Sequence, residues 1–247
     1  MNDLMTANYG TVSKLNYDLA VLPWGATEPH NLHLPYLTDC ILSHDVALDA
    51  AKEALKIANV RCMVMYPISM GSQNPGQWNQ KFCIHTRYET QKAILTDIVD
   101  SLSRQGIFKM VIINGHGGNT FKAMIRDLSV TYPQFRIAVA DWFGIVPQED
   151  YFEMKDDHAG ELETSVMLHY HSDWVDLSQA GDGASQPFAL SSLREKTAWI
   201  PRNWTKATKD TGIGDPRKAT AEKGERYAMS VVAKLTTLFV ELSQNEW

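Results

Sequence analysis

Four short apolar runs recur along the chain: Leu19 to Leu22, Val60 to Tyr66, Met110 to Ile113 and Ile137 to Ala140. They are rich in Val, Ile and Met and lack strict alternation, the pattern of strands buried on both faces of a parallel sheet. The segments between them carry helical spacing instead. Thr38 to Ala58 places Ile41, Leu42, Val46, Ala50, Ala54 and Leu55 on one face, and Arg87 to Arg104 does the same with Ile94, Leu95, Ile98 and Leu102. A third helix is predicted over Asn119 to Tyr132, with Asn119 placed to cap it. Alternating strands and helices imply right-handed crossovers and an α/β fold, a three-layer α/β/α sandwich with a mostly parallel central sheet. Two further helices are predicted, from about Glu161 to Tyr170 and from about Ala219 to Leu242, the second opened by Asp215-Pro216. No repeat, low-complexity tract or clear linker interrupts residues 1–247, which read as a single domain. Residues 181–215, rich in Gly, Pro, Ser and Trp, read as a long irregular excursion of the kind found at functional or interface sites.

Composition narrows the class of protein. Of 247 residues, 44% are hydrophobic and 21% charged, the profile of a folded soluble chain. The net charge of −6 gives no electrostatic reason to expect a nucleic acid or an anionic membrane as a partner. No apolar run is long enough to span a bilayer. The opening MNDLMTANYG lacks a basic region followed by an apolar one, so no secretory signal is expected there. Cys40, Cys62 and Cys83 are an odd, scattered set without CxxC spacing, read as core or half-buried thiols in a reducing cytoplasm.

Polar residues gather at three places where an apolar element ends. After the first strand comes LPWGATEPHNLHLPYLTD, residues 22–39. Residues two apart in extended backbone point to the same side, so Glu28 and His30 can face one centre. Asp39, at the start of the next helix, can return to it. Such a set suits zinc, manganese or iron, although Glu28-x-His30 alone reads more readily as a polar loop with a helix cap at Thr38 or Asp39. His33 and His44 read as surface or supporting residues. The second cluster follows the third strand as Asn-Gly-His-Gly-Gly-Asn, residues 114–119. Ligands of open α/β sheets bind beyond the carboxyl ends of strands, which is where His116 falls. Its flanking glycines permit positive φ and close backbone approach, and the Gly117 and Gly118 N–H groups can face a developing oxyanion. P-loop and GxGxxG spacings are absent, which disfavours phosphate or dinucleotide binding. The third cluster, DHAGELETS (residues 157–165), sets His158 before a helix whose first turns hold Glu161 and Glu163. Alone it decides little, because acidic residues near a helix N-terminus are often only dipole partners.

Together these motifs resemble the creatininase (creatinine amidohydrolase) family, in its NGHGGN-type branch. The resemblance rests on Leu22-Pro23-x-Gly25-x-x-Glu28-x-His30 with His33-Leu34-Pro35 and Asp39, on Asn114-Gly-His-Gly-Gly-Asn119, on His158-Ala-Gly-x-x-Glu163-Thr-Ser165, and on Gly214-Asp-Pro-x-x-Ala219-x-x-Glu222-Lys-Gly224. It implies an α/β/α domain holding two divalent metal ions, zinc above manganese or iron, in a homo-oligomer, often a hexamer. Glu28 and His116 would bind one ion and His30 the other, with Asp39 between them. Creatininase has a glutamate where this chain has Gly118, and Glu163 is the expected substitute.

The activity the resemblance implies is hydrolysis of a non-peptide C–N amide bond, cyclic or a formamide, by metal-bound hydroxide. His158 would pass a proton to the departing nitrogen, and Gly117 or Gly118 would hold the oxyanion. Creatinine itself is disfavoured: creatininase has a pocket tryptophan where this chain has Met154. The loop at 71–86 also reads QWNQKFCIHT in place of an EHxxFPGT-like pattern. Trp78 in that loop and Trp142 after another strand are the expected aromatic walls of a substrate pocket, core packing being the other reading. The alternatives are a small-peptide hydrolase of the same family and a metal-binding α/β protein without turnover.

Overall fold

In the computed structural model, residues 2–154 and 157–245 are described. After the single-turn α1 (Tyr9–Val12) the chain runs β1 (Leu19–Trp24), α2 (Thr38–Ala58), β2 (Cys62–Val64), α3 (Tyr88–Arg104), β3 (Lys109–Asn114), α4 (Lys122–Thr131) and β4 (Arg136–Asp141). The four strands pair in parallel in the order β2-β1-β3-β4. Next come α5 (Glu161–His171), the single-turn α6 (Ser191–Arg194) and α7 (Trp204–Ala207), and the long α8 (Ala221–Gln244).

Strand alternation splits the apolar side chains between two cores. Leu19 and Val21 of β1, with Val111 and Ile113 of β3, face buried residues of α2, α5 and α8. Ala20 and Leu22, with Met110 and Ile112, face Leu95, Val99 and Leu102 of α3 and Met124 and Leu128 of α4. Because both faces of the sheet are covered, its strands carry near-continuous apolar runs. The result is the expected three-layer α/β/α sandwich with a parallel central sheet. Among the described residues, no helix is long and apolar enough to cross a membrane.

The helix over Thr38 to Ala58 has the predicted bounds. It closes on Asn59, held at φ 55 in the left-handed region that a short amide side chain tolerates. Two predicted helix starts are corrected. α4 begins at Lys122 rather than Asn119, because the Asn119 amide is used between loops and caps nothing. α8 begins at Ala221: Asp215 caps only the short turn Pro216–Lys218, extended backbone at Ala219 and Thr220 breaks the path, and Thr220 accepts the Lys223 N–H as the true cap. Cys40, Cys62 and Cys83 are all free and buried, as expected.

Candidate metal centre

The carboxyl ends of β1 and β3 lie side by side, with Trp24 paired to Asn114. The loop leaving β1 carries Glu28 and His30, and the loop leaving β3 carries His116. Between them enters the first turn of α2 with Asp39. Two glycines make this approach possible. A side-chain carbon on Gly25 would fall 2.5 Å from the Asp39 Cβ, and one on Gly115 would fall 2.3 Å from the Asp39 carbonyl oxygen. Neither has positive φ, nor do Gly117 and Gly118, so of the two uses the flanking glycines permit, Gly115 serves close approach.

Three overlapping sets of buried side chains gather here: Glu28, Asp39 and His116; His30, Asp39 and Glu163; and Glu28, His30 and His158. Asp39 belongs to two of them through different atoms. Its Oδ1 lies 2.8 Å from His30 Nε2, and its Oδ2 lies 3.2 Å from His116 Nδ1. Glu28 Oε1 lies 2.8 Å from His116 Nδ1 and 3.8 Å from His158 Nδ1. Of the two glutamates in the first turn of α5, Glu163 reaches the cluster and Glu161 does not. Glu161 accepts the Glu153 and Met154 N–H groups and pairs with Lys223, while Glu163 accepts the Ala159 N–H at 2.6 Å and reaches the cluster.

Each histidine is oriented from behind by a backbone carbonyl. His30 Nδ1 donates to the Glu28 carbonyl at 3.1 Å, His116 Nε2 to that of Ser72 at 2.8 Å, and His158 Nε2 to that of Pro29 at 2.9 Å. A carbonyl only accepts, so the proton on that nitrogen is fixed and the other nitrogen faces the cluster. This is how histidines that bind metal are held.

Without a cation the cluster charges itself. Burial opposes a charge on His30, but the facing Asp39, with Glu163 and Glu28, raises its pKa to about 10. His116 is likewise raised against burial by Glu28 and Asp39. Burial would raise the Asp39 carboxyl, yet the two facing imidazoles hold it below the usual carboxylate range. His158 goes the other way: burial and the nearby His30 lower it, so it is neutral. Glu28 Oε1 and Asp39 Oδ2 are buried oxygens that only the facing imidazoles satisfy. Two negative oxygens in that state, flanked by inward imidazole nitrogens, fit a divalent cation by charge, donor type and desolvation.

A cavity of about 220 Å³ opens on this cluster, lined in part by Asp39, His116, Gly117, His158 and Glu163. Phe143, Gly144, Gln148, Asp157 and Leu162 line the rest of it. Gly117 lines it, whereas Gly118 packs against the Ser72 carbonyl and the His116 ring. Trp78 is 44% exposed and meets His85 edge-on. Trp142 is completely buried against Phe143 and Tyr227 in the core, so the aromatic face toward the cavity comes from Phe143. His33 is buried, bonded to Thr164 Oγ1 at 2.8 Å and lowered to about 4 by burial and by His30. His44 sits apart from the cluster, beside Asp3 and Asp45.

Several residues support the site in ways the sequence alone does not assign. Gln77 donates to Glu28 Oε2 from the loop after β2. Asn119 ties three loops together, donating to the Gly25 carbonyl and Asn114 Oδ1 and accepting from the Ser72 N–H and Gln91. The 181–215 excursion returns to the site, where Trp204 packs edge-on against His158 and Ile213 bridges its backbone.

The family model described as creatinine amidohydrolase matches residues 5–239. The mycofactocin precursor peptide peptidase of Mycobacterium tuberculosis (strain CDC 1551 / Oshkosh) is 31% identical over 86% of this chain and 80% of its own length. The creatinine amidohydrolase of Pseudomonas putida is 24% identical over 83% and 82%. A provisional creatinine amidohydrolase of Bacteroides fragilis NCTC 9343 superposes with a TM-score of 0.98 at 60% identity, over 99% of this chain and 97% of that one. A creatininase structure designated Mn has a TM-score of 0.74 at 21% identity, covering 96% of each chain. With the motifs in order along nearly all of its length and this fold beneath them, the chain belongs to the creatininase family of hydrolases.

Proposed function

We propose that the chain is a metal-dependent amidohydrolase holding two divalent ions, one by Glu28, Asp39 and His116 and the other by His30, Asp39 and Glu163. The observation that carries this reading is Asp39, whose two oxygens face two different histidines as a bridge requires. Zinc is the first choice for a mixed imidazole and carboxylate set, with manganese or iron as alternatives. Such ions, when bound, lower the pKa of a water and polarise a carbonyl.

The chain's own groups handle the proton and the charge. The Gly117 N–H at the cavity wall is the partner for the oxygen that becomes negative as the carbonyl carbon turns tetrahedral. His158 keeps its Nε2–H on the Pro29 carbonyl and turns Nδ1 toward Glu28, so Nδ1 is the atom that would take the water's proton. The Glu28 carboxylate favours the charged ring until that proton passes to the departing nitrogen. His158 thus acts as a base and then as an acid.

The substrate class we favour is a small non-peptide amide, cyclic or a formamide, which suits a cavity of about 220 Å³. Likeness to a precursor peptide peptidase supports a second reading, cleavage of a short peptide. Zinc-loaded protein incubated with lactams, formamides and short peptides separates them by which amines are released. Metal bound without release from any of them would favour the binding protein without turnover. We also propose a homo-oligomer, supported by exposed Leu190, Trp199 and Ile200 in the excursion. Light scattering that returned a monomer would refute it.

A further inference from the structure

We propose that Gln77 is a positioning residue that holds Glu28 to a single ligating oxygen; the inference rests on the two-ion reading above. Gln77 is 1% exposed, in a short turn of the loop after β2. Its amide cannot rotate freely, because Oε1 accepts the Asn74 N–H at 3.2 Å. That leaves Nε2 to donate, and it donates to Glu28 Oε2. The other Glu28 oxygen, Oε1, is buried with no partner besides the facing imidazoles of His116 and His158. One carboxylate therefore has two differently assigned oxygens, one bound to an amide and one offered to an ion.

The turn that presents Gln77 is braced from outside. Gly76 has φ +86, and a side-chain carbon there would lie 2.9 Å from Thr205 Oγ1, so only glycine suits both the backbone and the space. Pro75 accepts the Trp204 N–H at 2.8 Å, and the Trp204 ring packs edge-on to His158. Residues 181–215 thus fix the Gln77 turn and flank the proton-handling histidine with the same short helix, α7. A carboxylate free to swing would chelate one ion through both oxygens. It would then fill a coordination position that water or substrate needs.

The experiment compares Gln77→Leu, Gln77→Glu and the unaltered full chain, each stripped and titrated with cobalt(II), whose visible absorption weakens as coordination number rises. The proposal expects Gln77→Leu to fold, with far-UV circular dichroism unchanged. One of its two cobalt sites should be weakened about tenfold, with lower absorption per ion at that site. Gln77→Glu sets a second carboxylate against Glu28 and should shift the same site alone. Both variants matching the unaltered chain in affinity and spectrum would overturn the role of Gln77. So would equal weakening of both sites, which marks general loosening. If the unaltered chain itself binds no cobalt, the two-ion reading fails first and the two failures are told apart.

Discussion

In the proposed two-ion centre, Asp39 is the residue on which most depends. Asp39→Ala removes one oxygen from each of the two sets it belongs to, so metal analysis after dialysis should show both ions depleted; full occupancy of both would refute the bridge. His158 makes the opposite case. His158→Ala should keep both ions and lower kcat by about 10²- to 10⁴-fold, the usual contribution of a proton-transferring side chain. Loss of an ion instead would make His158 a ligand through the Nδ1 that faces Glu28. Proton linkage gives a third check. In the ion-free protein His30 is raised to about 10 and His116 is raised well above its ordinary value, so both carry protons at neutral pH. Binding must expel those protons. Apparent zinc affinity should therefore rise with pH across the neutral range, with protons released on titration; affinity that is flat or falls with pH would contradict it.

At the scale of elements, the two strand-end loops meet through Asn119. Its amide satisfies the Gly25 carbonyl, Asn114 and the Ser72 N–H, and the Ser72 carbonyl in turn fixes His116. Asn119→Ala takes its partner from the Gly25 carbonyl and the Ser72 N–H, and should lower stability by about 1–3 kcal/mol in thermal unfolding while weakening the proposed ion held by His116. The sequence made some of this visible. Glu28, His30, Asp39 and His116 follow apolar runs, and the parallel order of β1 and β3 brings their ends together. Gln77 and Trp204 could not be found that way. Gln77 lies 49 positions from the carboxylate it holds, in a polar loop without periodicity, and Trp204 belongs to the excursion whose path no local preference dictates. Asn119 was legible as a capping residue type and used otherwise, because three loops compete for the same amide.

For the whole molecule, the parallel sheet with two covered faces is what puts polar residues at the carboxyl ends of its central strands and leaves the strands themselves apolar. Glu28, Asp39 and Glu163 bring three negative charges into one buried place, against histidines that need no charge of their own once cations enter. That imbalance is the central claim, and it is most directly measured as metal content. Protein purified without chelator and dialysed against trace zinc, then analysed by mass spectrometry of the elements, should hold about two ions per chain, as expected for a two-metal hydrolytic centre. A value near zero, or a second equivalent that binds no more tightly to the unaltered chain than to Asp39→Ala, would contradict it.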